Sequence, residues 1–114
     1  MTPEFETVID AAIAQLNPRA RYARDVIRGR QKWSGADLRG LAKTRFGAAY
    51  AAQRHNALRA LERAGGTVIS IAPSGKRVTA LALPDGRYQT ASGSIWEHVD
   101  GYAHYRRADA DDSA

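Results

Sequence analysis

Leu58-Arg59-Ala60-Leu61-Glu62-Arg63-Ala64-Gly65-Gly66-Thr67-Val68-Ile69-Ser70-Ile71 carries a helical repeat into a strand repeat across a pair of glycines. Before the glycines, Ala57, Leu61 and Ala64 recur at the spacing of one helical face; after them, Ile69 and Ile71 alternate with Val68 and Ser70. Glycine suits the junction because it accepts the left-handed backbone that closes a helix. Pro73-Ser74-Gly75 then marks a turn and Val78 to Leu83 a second strand, so a hairpin is expected. Pro84-Asp85-Gly86 has the chemistry of a second turn, and Tyr88 to Ala91 is expected to add a third strand.

Upstream, Phe5, Val8, Ile9, Ala12, Ile13 and Leu16 trace one helical face. Thr2 supplies a capping hydroxyl, Pro3 a first-turn proline and Glu4 a dipole-matched acid, which predicts a helix over residues 3 to 16 that Asn17-Pro18 stops. Arg19 to Gly29 sets Tyr22, Ala23, Val26 and Ile27 against Arg21, Arg24 and Arg28, a second, short amphipathic helix. In Trp33-Ser34-Gly35-Ala36-Asp37-Leu38, Ser34 and Asp37 form a capping box and Trp33 staples onto Leu38, starting a third helix over about 35 to 43. Thr44 to Gly47 is the tight turn into a fourth helix, about Ala48 to Ala64. After the strands, Ser94 and Glu97 read as the box of a last helix carrying Trp96, Val99, Tyr102 and Ala103. Residues 108 to 114 read as a frayed acidic tail.

Helix, tight turn, helix, two glycines and a hairpin, in that order, resemble the winged helix-turn-helix superfamily from roughly Ser34 to Leu83. The resemblance rests on Ser34 to Lys43, on Phe46-Gly47, and on Leu58 to Gly66 running into the two strands. It implies an α+β, mainly helical fold: one winged helix-turn-helix domain over 1–107, with the helix-turn-helix at about 34–64. A two- or three-stranded wing over about 67–91 and extra N- and C-terminal helices complete it. It also implies a non-enzymatic protein that lays its fourth helix in the major groove of double-stranded DNA, as small bacterial or phage transcription regulators do. Elements outside the reading core often dimerise in such proteins, which makes the first helix and the C-terminal aromatic segment the expected homodimer interface.

Charge agrees with a polyanionic partner. The chain of 114 residues has a net charge of +5 and a pI near 10.0. Between Arg19 and Arg63, twelve Lys or Arg stand against Asp25, Asp37 and Glu62, a local excess of nine positive charges. On the fourth helix, Tyr50, Ala57, Leu61 and Ala64 share one side; Ala48, Ala52, His55, Asn56, Arg59 and Arg63 share the other. Small alanines let a helix seat deeply in a groove, and amides and guanidinium groups match base edges. Ala52, Gln53, Asn56 and Arg59 are therefore the expected base-reading residues. Arg39, Lys43, Arg45, Arg63, Lys76 and Arg77 are the expected contacts to the DNA backbone. Arg19, Arg21, Arg24, Arg28, Arg30 and Lys32 widen that footprint or face a second anionic surface. Arg54 departs from the pattern, because it falls on the inward arc.

Other classes of function leave no mark. The absence of cysteine excludes disulfides and thiolate metal sites. His55, His98 and His104 lack metal-ligand spacing, and no nucleophile motif or phosphate loop is present, so neither catalysis nor a cofactor is expected. The start at Met1-Thr2-Pro3-Glu4 has no signal-peptide layout, and no apolar run is of membrane-spanning length, so a cytoplasmic protein is expected. The rival readings are a protein-interaction module, such as an assembly or inhibitor protein, and a binder of structured RNA.

Overall fold

In the structure, a computed structural model, residues 1–33 and 45–108 are described, with the backbone alone at 45–48. Helices α1 (Pro3–Ala14), α2 (Arg21–Ile27) and α3 (Arg45–Arg63) precede strands β1 (Gly66–Ile71), β2 (Lys76–Ala82), β3 (Tyr88–Thr90), β4 (Ile95–His98) and β5 (Tyr105–Arg107). The third helix expected over 35 to 43, with its capping box, lies outside the described residues. None of the helices among those residues is long and apolar enough to cross a membrane.

The start of α1 follows its sequence: Thr2 Oγ1 accepts the N–H of Phe5 at 3.2 Å, and Phe5, Ile9 and Ala12 form its buried stripe. The N-cap position of α2 is Ala20, which has no side-chain acceptor to offer. The N–H of Ala23 is satisfied instead from another helix, by Gln53 Oε1 of α3 at 3.2 Å. Ala23, Val26 and Ile27 of α2 and Ala57, Ala60 and Leu61 of α3 close with the α1 stripe into one helical core. That core spends the apolar face of α1 within the chain.

Gly65, at φ +99°, turns the chain out of α3, and Gly66 admits a close approach between Leu61 and β1. From there the five strands meander, each antiparallel to the last, with registers such as Ile69↔Val78, Ala80↔Thr90, Tyr88↔Trp96 and His98↔Tyr105. Five is odd, so the first and last strands of such a meander run the same way when they meet. They do meet: β1 pairs parallel with β5 at Ile71↔Tyr105, and the Ala72 N–H donates to the Tyr105 carbonyl at 2.8 Å. The result is a closed barrel in the order β1-β2-β3-β4-β5.

Opposed residues in a ladder point to the same side of a sheet. The registers therefore gather Ile69, Val78, Ala80, Tyr88, Trp96 and Tyr105 on one side, and Val68, Thr79, Leu81 and Gln89 on the other. The first side is the barrel interior, where Ile69 and Ala80 are buried and the Tyr88 and Tyr105 rings meet edge to face at 5.1 Å. The second side faces the helices: Val68 and Leu81 pack on the helical core. Thr79 Oγ1 accepts the indole N–H of buried Trp33 at 2.9 Å and donates to the Ile27 carbonyl at 3.2 Å. This triad ties the end of α2 to the barrel.

The barrel corrects the expected mainly helical winged helix. The hairpin and third strand are there, but they are barrel staves and not a free wing, because two further strands follow and close the sheet. The expected C-terminal helix is absent from its place: Ile95–His98 is β4 and Tyr105–Arg107 is β5. The residues read as a capping box have other partners. Glu97 Oε1 accepts from Arg106 Nε at 2.8 Å across the β4–β5 ladder, and Ser94 Oγ shares a hydrogen bond with Ser92 Oγ at 3.0 Å. A three-stranded sheet would have left two open edges, and closure covers the exposed ladder groups that a lone terminal helix could not.

Candidate nucleic-acid interface

The outer side of α3 is the surface the sequence marks most strongly. The helix is anchored along its length by α1, α2 and β1. Ala57, Ala60 and Leu61 are buried beneath it, while Ala52, His55, Asn56, Arg59 and Arg63 are exposed, as the helical period requires. Glu62 is exposed on the same flank. Among the described residues the ion pairs are Asp85–Arg87 and Glu97–Arg106, so neither engages the α3 cations. No hydrogen bond ties Asn56, Arg59 or Arg63 to another described side chain. The N-terminal half of the helix is flanked by a small recess in which Arg19 and Arg21 stand with Tyr50 and Gln53.

Not every expected reader is free. Gln53 is half-buried and its carbonyl oxygen is committed to the Ala23 N–H, so it serves α2 as a cap. Tyr50, expected on the same side of the helix as buried Leu61, is 40% exposed and meets the Tyr22 ring edge-on at 5.1 Å. Arg54 is half-buried, as its place on the inward arc implies, and its Nε is buried without an acceptor. Arg39 and Lys43 lie outside the described residues, and of Arg45 only the backbone is described.

Lys76 and Arg77 are exposed where the β1–β2 turn enters β2. That turn is the end of β1 remote from α3, about 20 Å along the strand from the helix C-terminus at roughly 3.3 Å per residue. They share a cleft with Arg28, Arg30 and Lys32, and among the described residues none from α3 lines it. The expected base-reading and backbone-contacting residues thus divide into two surfaces. The signal for the second was present in the sequence as the run Arg28-Gly29-Arg30-Gln31-Lys32, but nothing local links that run to residues nearly fifty positions later.

Among the described residues no three His, Asp or Glu side chains converge as a metal site would require. His98 instead meets the Tyr105 ring edge-on at 5.3 Å, and His104 lies beside Tyr102. Burial raises the Tyr105 phenol above the ordinary tyrosine range, helped by neighbouring Tyr88. At the β2–β3 turn, the backbone N–H of Arg87 and then its guanidinium hold the Asp85 carboxyl below the ordinary carboxylate range. Both groups belong to the barrel and neither touches the outer face of α3. No family model matches the chain, and neither a curated protein nor a solved structure matches it.

Proposed function

We propose that the chain is a non-enzymatic nucleic-acid-binding protein that docks the outer side of α3 in the major groove of double-stranded DNA. The observation that carries this reading is the state of that side. Across Ala52 to Arg63 it combines small residues, an amide and two guanidinium groups, held on a helix packed from behind, and among the described residues no carboxylate pairs with them. A major groove admits one α-helix, and Asn and Arg are the side chains that pair bidentately with adenine and guanine edges. Asn56 and Arg59 are the base readers in this arrangement, with Ala52 providing clearance and Arg63, Arg19 and Arg21 meeting phosphates. Gln53 is left out of this arrangement, because its carbonyl oxygen caps α2.

The test is a titration of a labelled mixed-sequence duplex at about 50 and about 200 mM salt, with the native chain and the double variant Arg21→Ala/Arg63→Ala, which removes two of the phosphate contacts. Counterion release lowers log K by about 0.9 per log unit of salt for each phosphate neutralised, so the variant is expected to flatten the slope by nearly 2. Binding that ignores salt, or a slope unchanged in the variant, refutes the reading and points to a protein partner.

A further inference from the structure

The geometry points to a second binding site, a cleft between the helical layer and the barrel that takes single-stranded nucleic acid. It does not rest on the duplex reading of α3. The cleft measures about 1190 Å³. That exceeds the range of about 300 to 1,000 Å³ of ordinary small-molecule pockets, and suits a run of several nucleotides better than one small ligand.

Its charges are sorted by wall. Arg28, Arg30 and Lys32 come from the segment that follows α2, and Lys76 and Arg77 from the start of β2. Among the described residues, the acids that line it, Glu6 and Asp10, both belong to α1. A phosphate backbone therefore has two cationic walls to follow and one wall to avoid.

Both cationic segments are held in place before any ligand arrives. The Asp25 carbonyl accepts the Arg30 N–H at 2.8 Å and the Gln31 N–H at 3.3 Å, fastening that loop to the last turn of α2. Across the cleft, the Gly75 N–H donates to the Ile71 carbonyl at 2.7 Å and the Lys76 N–H to Ser74 Oγ at 3.2 Å. Cations on pinned backbone lose less freedom on binding than cations on a loose loop.

Aromatic surface completes the site. Half-buried Trp96, which reaches the cleft from the barrel's inner side, supplies it; Trp33, also against the cleft, is buried and held by Thr79. The indole N–H of Trp96 is buried without an acceptor, so packing alone orients that ring. Unpaired bases stack on such rings whatever their sequence, whereas the bases of a duplex are already stacked on one another.

The chain has two tryptophans and both line this cleft, so intrinsic fluorescence reports on its occupancy and not on α3. The experiment titrates the full chain with a short oligo(dT), with the matching duplex, with dTMP and with inorganic phosphate. Saturable quenching by oligo(dT) is expected. Its affinity should fall about 20-fold between about 50 and about 200 mM salt if three phosphates are engaged, at about 0.7 per phosphate. The variant Arg30→Glu/Lys76→Glu changes two exposed side chains and is expected to abolish the quenching, whereas Asn56→Ala leaves it intact. By anisotropy of labelled oligo(dT), Trp96→Ala is expected to weaken binding roughly 5- to 150-fold and Trp96→Phe far less. No quenching, equal quenching by duplex or by dTMP, or quenching that survives the charge reversal would each overturn the proposal.

Discussion

Replacing Gly66 by alanine adds one methyl group at the junction between α3 and the barrel, and its cost follows from three distances. The new Cβ would lie 2.7 Å from Leu61 Cδ1, 3.0 Å from Leu61 Cγ and 3.0 Å from the Ala80 carbonyl oxygen. Carbon atoms in contact prefer about 3.5 to 4.0 Å, so the methyl intrudes by nearly 1 Å. Neither neighbour has room to yield, since Leu61 is 0% exposed and the Ala80 carbonyl belongs to the β2 backbone facing β1. Overpacking of this kind costs about 1 to 3 kcal/mol. The alanine also restricts the unfolded chain, which returns about 0.4 to 1 kcal/mol. The clash is the larger effect, and Gly66→Ala is expected to destabilise the fold by about 1 to 2 kcal/mol in urea unfolding followed by circular dichroism. Leu61→Ala removes both offending carbons, so the double variant should lose less than the sum of the single ones, by at least about 0.5 kcal/mol. Gly65→Ala is the control: its penalty comes from φ +99°, independent of Leu61, and should add simply. A neutral Gly66→Ala, or one strictly additive with Leu61→Ala, refutes the packing described at this junction.

Thr79→Val keeps the shape of the side chain but strips the Trp33 N–H and the Ile27 carbonyl of their shared partner, and is expected to cost about 1 to 3 kcal/mol; adding Trp33→Phe should recover part of that loss. Gln53→Ala orphans the Ala23 N–H and is expected to cost about 1 kcal/mol of stability, as the loss of a helix cap does, while duplex affinity stays within a factor of two. For Tyr105 the fold favours the neutral phenol. The stability it contributes is complete below the ordinary value of 10.0 and is lost as pH climbs through the raised one. Tyrosinate absorbance near 295 nm should therefore include a late-titrating component, whose midpoint falls in Tyr88→Phe.

The local features of the fold were readable from the chain, and the features that bring distant segments together were not. The Thr2 cap, the Phe5-Ile9-Ala12 stripe, the glycine pair after α3 and the first three strands all follow from neighbours within a few residues. So did the two sides of α3 from Ala52 onward, although the helix starts at Arg45, three residues before the expected Ala48. Strands β4 and β5 were missed because four and three residues are too short to display a period, and because Ser94 and Glu97 imitate a helix start. Their strand character comes from ladder partners such as Tyr88 and from closure against Ile71. The cap that Gln53 gives to α2 was hidden for a similar reason. The residue's position between the two sides of α3 suits a groove, and only the proximity of an uncapped α2, thirty residues earlier in sequence, claims its oxygen.

The barrel is fastened shut at a narrow seam, with Ile71 and Tyr105 paired and one bond from Ala72. Such a seam makes the C-terminal strand a latch. While β5 is in place it covers the edge of β4 and the Ile71 end of β1; if a protease or a truncation removes Tyr105 to Arg107, that end of β1 and the β4 edge are bared together. A strand donated by a second chain, or by the same chain's neighbour in a concentrated solution, then has two docking rails, and self-association follows from the loss of three residues.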